Sequence, residues 1–130
     1  MRIHSERRRS IRFSMTPERA RVVVRPLRTI EHDREIEGGA FDISEHGAQF
    51  ELDQPLDPGT SIAMRIDLPH TGPERSTERR VFFVFAEVVW TRMTADGVAR
   101  IGATFTRFER EAERSMLRRR LFSGRYTLAA

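Results

Sequence analysis

Four arginines stand close together near the start of the chain, within the segment Glu6-Arg7-Arg8-Arg9-Ser10-Ile11-Arg12. Arg8 and Arg12 are four residues apart, and this spacing places both side chains on one side of either an extended or a helical segment. Arg7 directly precedes Arg8 and could reach around a small ligand. Guanidinium groups bind phosphate oxygens bidentately, so three of them could neutralise two phosphates. A solvated basic terminus is the simpler interpretation when this segment is considered alone.

A second polar group lies in the segment Phe41-Asp42-Ile43-Ser44-Glu45-His46-Gly47. On a strand, Asp42 and Ser44 face the same side while Ile43 faces the core. A carboxylate accepts hydrogen bonds from paired N–H donors such as the Watson–Crick edge of guanine, and arginine binds the O6 and N7 edge of that base. Gly47 can adopt the positive φ that a tight turn requires. The alternative interpretation is an Asx or Ser turn that caps a hairpin.

The composition indicates one globular domain with a strongly charged surface. The chain has 130 residues, of which 38% are hydrophobic and 32% charged, and all 23 basic residues are arginines, although the net charge is only +4. It has no cysteine, which excludes disulfides and fits a reducing cytoplasm. No apolar run approaches the ~20 residues that span a bilayer, and no apolar segment follows the basic N-terminus as in a secretory signal. We therefore expect a soluble cytoplasmic protein without membrane insertion.

No group of residues suggests catalysis or metal binding. The four histidines are scattered, lack the spacing of metal ligands and do not belong to a recognisable triad motif. Neither a Walker loop nor a Rossmann glycine pattern is present. We therefore expect no enzymatic activity, no metal and no prosthetic group. The histidines are His4, His32, His46 and His70.

Short alternating segments separated by turns predict an all-β fold with one terminal helix. Glu109–Phe122 is predicted to be helical, because acids occupy its first turn and arginines its last. Gly102 inside the last strand indicates a bulge or a sharp bend. Residues 28–37 fit either a hairpin end or a loop. The predicted strands are Ala20–Arg25, Ala40–Ser44, Ala48–Leu52, Ser61–Leu68, Arg80–Arg92 and Val98–Phe108, and the apolar stripe of the helix is Ala112, Met116, Leu117 and Leu121.

Taken together, the two polar segments resemble the motifs of the PilZ domain family, bacterial receptors for cyclic di-GMP. Arg-Arg-x-x-x-Arg is followed about 30 residues later by Asp-x-Ser-x-x-Gly. The resemblance covers nearly the whole chain, since Val22–Val24, Ala86–Trp90 and Ile101–Phe105 are similar to strands of that family. It implies a six-stranded antiparallel barrel with a C-terminal helix in a stand-alone, single-domain member. Residues 1–12 would then form a flexible arm and residues 13–130 the barrel, with the helix at about 109–122.

The resemblance also implies a role for each motif residue. Arg8 and Arg12 match the two motif arginines and Arg7 a frequent additional one, so these three would contact phosphates and guanine edges. Asp42 and Ser44 match the pair that holds a guanine, and Gly47 matches the turn glycine that lets the backbone come close. Two further residues are left open: Arg9 could point away or replace Arg7, and Trp90 is either a ligand-side aromatic or a residue of the barrel core or rim.

The implied function is a cyclic di-GMP receptor or adaptor rather than an enzyme. The arm would fold over the ligand, and an unidentified downstream protein would sense the change in trans. The first alternative is an adaptor of the same fold that binds proteins but not cyclic di-GMP. The second is a nucleic-acid-binding barrel, suggested by the arginine content but weakened by the modest net charge and by the small number of Trp and Tyr residues for base stacking.

Overall fold

The computed structural model describes residues 11–27, 34–70 and 80–129. Seven strands precede the helix and one follows it. In chain order they are β1 (Phe13–Ser14), β2 (Arg21–Pro26), β3 (Ile36–Ile43), β4 (Gly47–Leu52), β5 (Ser61–Asp67), β6 (Val81–Met93), β7 (Ala99–Phe108), α1 (Ala112–Leu121) and β8 (Thr127–Leu128).

Six antiparallel strands form a closed barrel. They are hydrogen-bonded in the order β2-β5-β6-β7-β4-β3, and pairing of β2 with β3 closes the ring. The two short strands lie outside the ring, where β1 pairs with β3 and β8 pairs with β1. The predicted six-stranded barrel with a C-terminal helix is therefore confirmed, and the two-residue strands are an addition that the sequence did not suggest.

The core follows from the alternation of side chains along each strand. Inward residues such as Val22, Val24 and Ile62 are fully buried, whereas their neighbours face solvent. Leu117 and Leu121 attach α1 to the same cluster. The predicted helical stripe is only partly right, because Ala112 is exposed and the neighbouring Glu113 is buried instead. The Glu113 carboxylate has a polar partner there, since it accepts a hydrogen bond from the backbone N–H of Phe83 at 3.4 Å.

Residues 36 and 37, the end of the stretch that the sequence left undecided, begin β3, which starts four residues before the predicted strand Ala40–Ser44. Gly38 and Gly39 allow β3 to pass unusually close to its neighbours. A Cβ at Gly38 would collide with the carbonyl oxygen of Glu51 on β4, and one at Gly39 with the carbonyl oxygen of Pro17. Gly38 therefore allows close packing against β4, and Gly39 lets the chain before β2 run directly over β3.

None of the helices within the described residues is long and apolar enough to cross a membrane.

Candidate functional site

The pairing of β1 with β3 brings the two sequence motifs together. Ser14 lies opposite Asp42 in this ladder, and Arg12 immediately precedes β1. Burial raises the pKa of Asp42, and the Arg12 charge lies close enough to offset part of that effect. Arg12 and Asp42, which are 30 positions apart in the chain, therefore share one site. Arg7, Arg8 and Arg9 lie outside the described residues.

The surroundings of Asp42 act on the pKa of its carboxyl group in opposite directions. Burial is the largest influence on it and raises its pKa above the ordinary value, because the charged form loses hydration. Arg12, Arg100 and a hydrogen bond from the backbone of Gln49 act in the opposite direction. A partly desolvated carboxylate beside two guanidinium groups is well suited to accept hydrogen bonds from a ligand that carries both N–H donors and negative charge.

Ser44 lies just beyond the end of β3, and its hydroxyl is directed at the turn between β3 and β4. The side chain is only 4% exposed. Its Oγ accepts hydrogen bonds from the backbone N–H groups of His46 at 3.0 Å and Gly47 at 3.2 Å. This is the Ser turn that the sequence offered as the alternative interpretation. A contact between Ser44 and a guanine stays a prediction.

Gly47 is required for a different reason from the one that the sequence suggested. The described glycines with positive φ are Gly59, Gly97 and Gly124, and Gly47 is not among them. Instead, a Cβ at Gly47 would lie 2.5 Å from the carbonyl oxygen of Ala103 on β7. The expectation of a positive φ at Gly47 was wrong, and the close approach of β4 to β7 is what excludes a side chain.

A row of residues crosses the outer face of the barrel from Asp42 to Trp90. Asp42 pairs with Gln49, Gln49 with Gly102, and Gly102 with Trp90, so the four positions lie side by side on one face. The Trp90 indole lies directly over Gly102, in the space that a Cβ there would occupy. The predicted irregularity near Gly102 is present as a bulge in β6, where Val89 is inserted between Val88 and Trp90. Trp90 is thus a partly buried residue of the outer face, at the opposite end of the row from Asp42.

Arg100 belongs to this face, although the sequence analysis did not identify it. Its guanidinium lies 3.8 Å from the centre of the Phe41 ring, an arrangement typical of a cation–π contact. Its charge acts on Asp42, as that of Arg12 does. Its Nε is buried and has no hydrogen-bond partner among the described residues. The sequence does contain one indication of this position. Arg100 stands two residues before Gly102, so both residues lie on the outer side of β7.

The described residues contain no group of three or more His, Asp or Glu side chains that could hold a metal ion.

The raised pKa of Asp42 predicts that this carboxylate destabilises the unliganded protein. A group whose pKa is higher in the folded than in the unfolded state stabilises the fold when protonated and loses that contribution as the pH rises through the folded-state pKa. We expect Asp42→Asn to unfold at a higher temperature than the wild type at neutral pH. The difference should shrink as the pH falls from neutral towards the ordinary aspartate pKa of about 3.9, and it should be absent below that pH. Thermal unfolding followed by circular dichroism across pH measures it, and a lower melting temperature for Asp42→Asn at neutral pH would contradict the assignment.

Two solved structures share this fold. The Bacillus subtilis inhibitor of motility, MotI/DgrA, matches with a TM-score of 0.66 and 19% identity over 90% of this chain, which spans only 50% of the MotI/DgrA chain. The PilZ domain of YcgR from Escherichia coli, solved with c-di-GMP, matches with a TM-score of 0.61 and 16% identity over 90% of both chains. No curated protein matches the sequence. The family model described as PilZ domain matches residues 6–123, so the chain belongs to the PilZ domain family.

Proposed function

We propose that this protein binds cyclic di-GMP on the outer face that carries Asp42, Gln49, Gly102 and Trp90, and that another protein senses the bound state. The observation that carries the proposal is the placement of two arginines near the partly buried Asp42 carboxylate: Arg12 precedes the strand that pairs with Asp42, Arg100 stacks on the neighbouring Phe41, and the charges of both act on that carboxylate. Residues 1–12 act as an arm that brings Arg7 and Arg8 to the phosphates.

The chemistry of the ligand matches the groups available. Cyclic di-GMP carries two phosphodiester charges, which suit bidentate contacts from arginines. Each guanine offers adjacent N–H donors that a carboxylate can accept, and the O6 and N7 acceptors on its other edge suit arginine. Asp42 is already partly desolvated, so ligand donors would restore hydrogen bonds that burial has removed.

Trp90 can supply an aromatic surface at the opposite end of the same row. Its indole rests on Gly102, where no Cβ intervenes, and Arg92 lies near the Trp90 ring at 5.9 Å. Stacking of a base on an aromatic side chain contributes about 1–3 kcal/mol. Because three strand spacings separate Trp90 from Asp42, this contact would be made by the second guanine of the ligand and not by the one that Asp42 binds.

The relatives support a role in signalling rather than catalysis. PilZ domains are binding and adaptor domains, and one structural neighbour was solved with c-di-GMP while another is an inhibitor of motility. By analogy, the output of this chain would be contact with a downstream protein. A cytoplasmic location fits such a role.

A second candidate is an adaptor of the same fold that does not bind cyclic di-GMP. One observation favours it, because the Ser44 hydroxyl already accepts two backbone hydrogen bonds within its own turn. A hydroxyl used in this way contributes to the turn whether or not a guanine is present. The two candidates differ in whether the free protein responds to the nucleotide.

Calorimetric titration with cyclic di-GMP separates the two candidates. We expect wild-type binding in the micromolar range or tighter, and a loss of about ten-fold or more in Arg8→Ala, because a charge-assisted phosphate contact is removed. Arg25→Ala is the matched control, since Arg25 is an exposed arginine on β2, opposite Ala63 of β5. Wild-type protein that shows no heat of binding at tens of micromolar ligand would support the second candidate instead.

Arg100→Ala tests the residue that only the structure identified. We expect about five-fold or more weaker binding than wild type and a small decrease in melting temperature, because the contact with Phe41 and a positive charge beside Asp42 are both lost. Arg100→Lys should recover little of the affinity, since an ammonium group cannot stack on Phe41 as a planar guanidinium does. Equal affinities of wild type, Arg100→Ala and the Arg25→Ala control would exclude Arg100 from the site.

A further inference from the structure

Two arginines of α1 converge on the turn between β3 and β4. Arg114 Nη1 donates a hydrogen bond to the main-chain carbonyl oxygen of Glu45 at 2.7 Å. Arg118 Nε donates to the Glu45 side chain, with 3.0 Å between Nε and Oε1. Because 114 and 118 are four apart, both side chains lie on the same face of the helix. The two arginines thus bind Glu45 both at its backbone carbonyl oxygen and at its side-chain carboxylate.

Each of these arginines is also held by an aromatic ring. The Arg114 guanidinium lies 4.7 Å from the centre of the Phe108 ring, and Phe108 is buried in the core. The Arg118 guanidinium lies 4.8 Å from the centre of the Phe122 ring. Stacking on a ring limits the conformations of these long side chains before they bind Glu45. Less conformational entropy is therefore lost on binding.

The turn that they hold belongs to the candidate site. It consists of residues 44–46, begins two positions after Asp42 and leads into Gly47, whose position against β7 tolerates no side chain. The carbonyl oxygen of His46 accepts a hydrogen bond from the Phe105 backbone N–H at 2.8 Å. The turn is therefore fixed on one side by β7 and on the other by α1.

The C-terminal segment reaches the other motif as well. The ring of Phe122, directly after α1, packs edge-on against Phe13 of β1, with centroids 5.1 Å apart and planes at 80°. Beyond β8, the Ala129 backbone N–H donates to the Arg12 carbonyl oxygen at 2.9 Å. Residues 112–129 thus contact the turn between β3 and β4 and also the segment that contains Arg12 and β1, in both cases from outside the binding face.

We propose that Arg114 and Arg118 are positioning residues that couple the docking of α1 to ligand affinity. The inference rests on the proposed function and adds a regulation to it: occupancy of the face strengthens the attachment of α1, and a protein that detached α1 would weaken ligand binding. The two effects must be equal in size, because coupling between two binding events is reciprocal.

Three alanine variants on the same helix test the coupling. We expect Arg114→Ala and Arg118→Ala each to bind cyclic di-GMP about five-fold or more weakly than wild type. Arg119→Ala is the matched control, because it removes the same charge from an exposed position that makes no hydrogen bond or ion pair within the described residues. Arg114→Lys should restore part of the affinity, since an ammonium group can still donate to the Glu45 carbonyl oxygen.

Amide hydrogen exchange of the ligand-free proteins provides a readout that does not depend on ligand binding. The His46 and Gly47 amides, which donate to Ser44 Oγ, should exchange faster in Arg114→Ala and Arg118→Ala than in wild type and Arg119→Ala. In wild type, saturating ligand should also slow exchange along α1, and this effect should be reduced in Arg114→Ala. Combining Arg118→Ala with Glu45→Gln should weaken binding by less than the product of the single effects.

The outcomes separate this inference from the proposed function. If wild type binds the ligand, and both variants match it in affinity and in turn exchange, the coupling is wrong while the proposed function stands. If wild type does not bind, the proposed function and the coupling to ligand both fail. Faster turn exchange in the two variants would then support only the structural hold of α1 on Glu45.

Discussion

The antiparallel pairing of β1 with β3 is the constraint on which the site depends. This ladder contains only two residue pairs, yet Ser14 opposite Asp42 fixes where the chain after Arg12 meets the barrel. Arg12 is brought beside Asp42 by this register, and a shift of one residue would turn the side chains of β1 to the opposite faces. The Ala129–Arg12 hydrogen bond and the Phe122–Phe13 contact secure the pairing from the C-terminal side.

Strands of the barrel then carry the rest of the proposed binding face. Asp42, Gln49, Gly102 and Trp90 occupy neighbouring strands of a closed barrel, so their spacing is set by backbone hydrogen bonds and not by flexible loops. Sites on such scaffolds hold their geometry before a ligand arrives. This arrangement has a cost at Asp42, because burial raises the pKa of its carboxyl group despite the two nearby arginines. A ligand that supplied donors to this carboxylate would relieve that cost.

The sequence predicted the barrel, the helix and the two motifs, because alternation and motif spacing are local properties. It could not predict Arg100, since the contact of that residue with Phe41 depends on how β7, β4 and β3 are registered. It also assigned the wrong reason to Gly47, because the approach of Ala103 is a tertiary contact. The first half of β3 was not predicted for the same reason: glycine disfavours strands in general, and the neighbours that require Gly38 and Gly39, Glu51 and Pro17 respectively, are tertiary contacts.

A double-mutant cycle on cyclic di-GMP affinity tests most directly whether Arg12 and Asp42 form one site. The four proteins are the wild type, Arg12→Ala, Asp42→Asn and the double variant, compared by calorimetry at one salt concentration. If both residues hold the same ligand, the double variant should lose less affinity than the sum of the single losses, with a coupling of about 1 kcal/mol or more. Additive losses, or single variants that bind as the wild type does, would contradict the account.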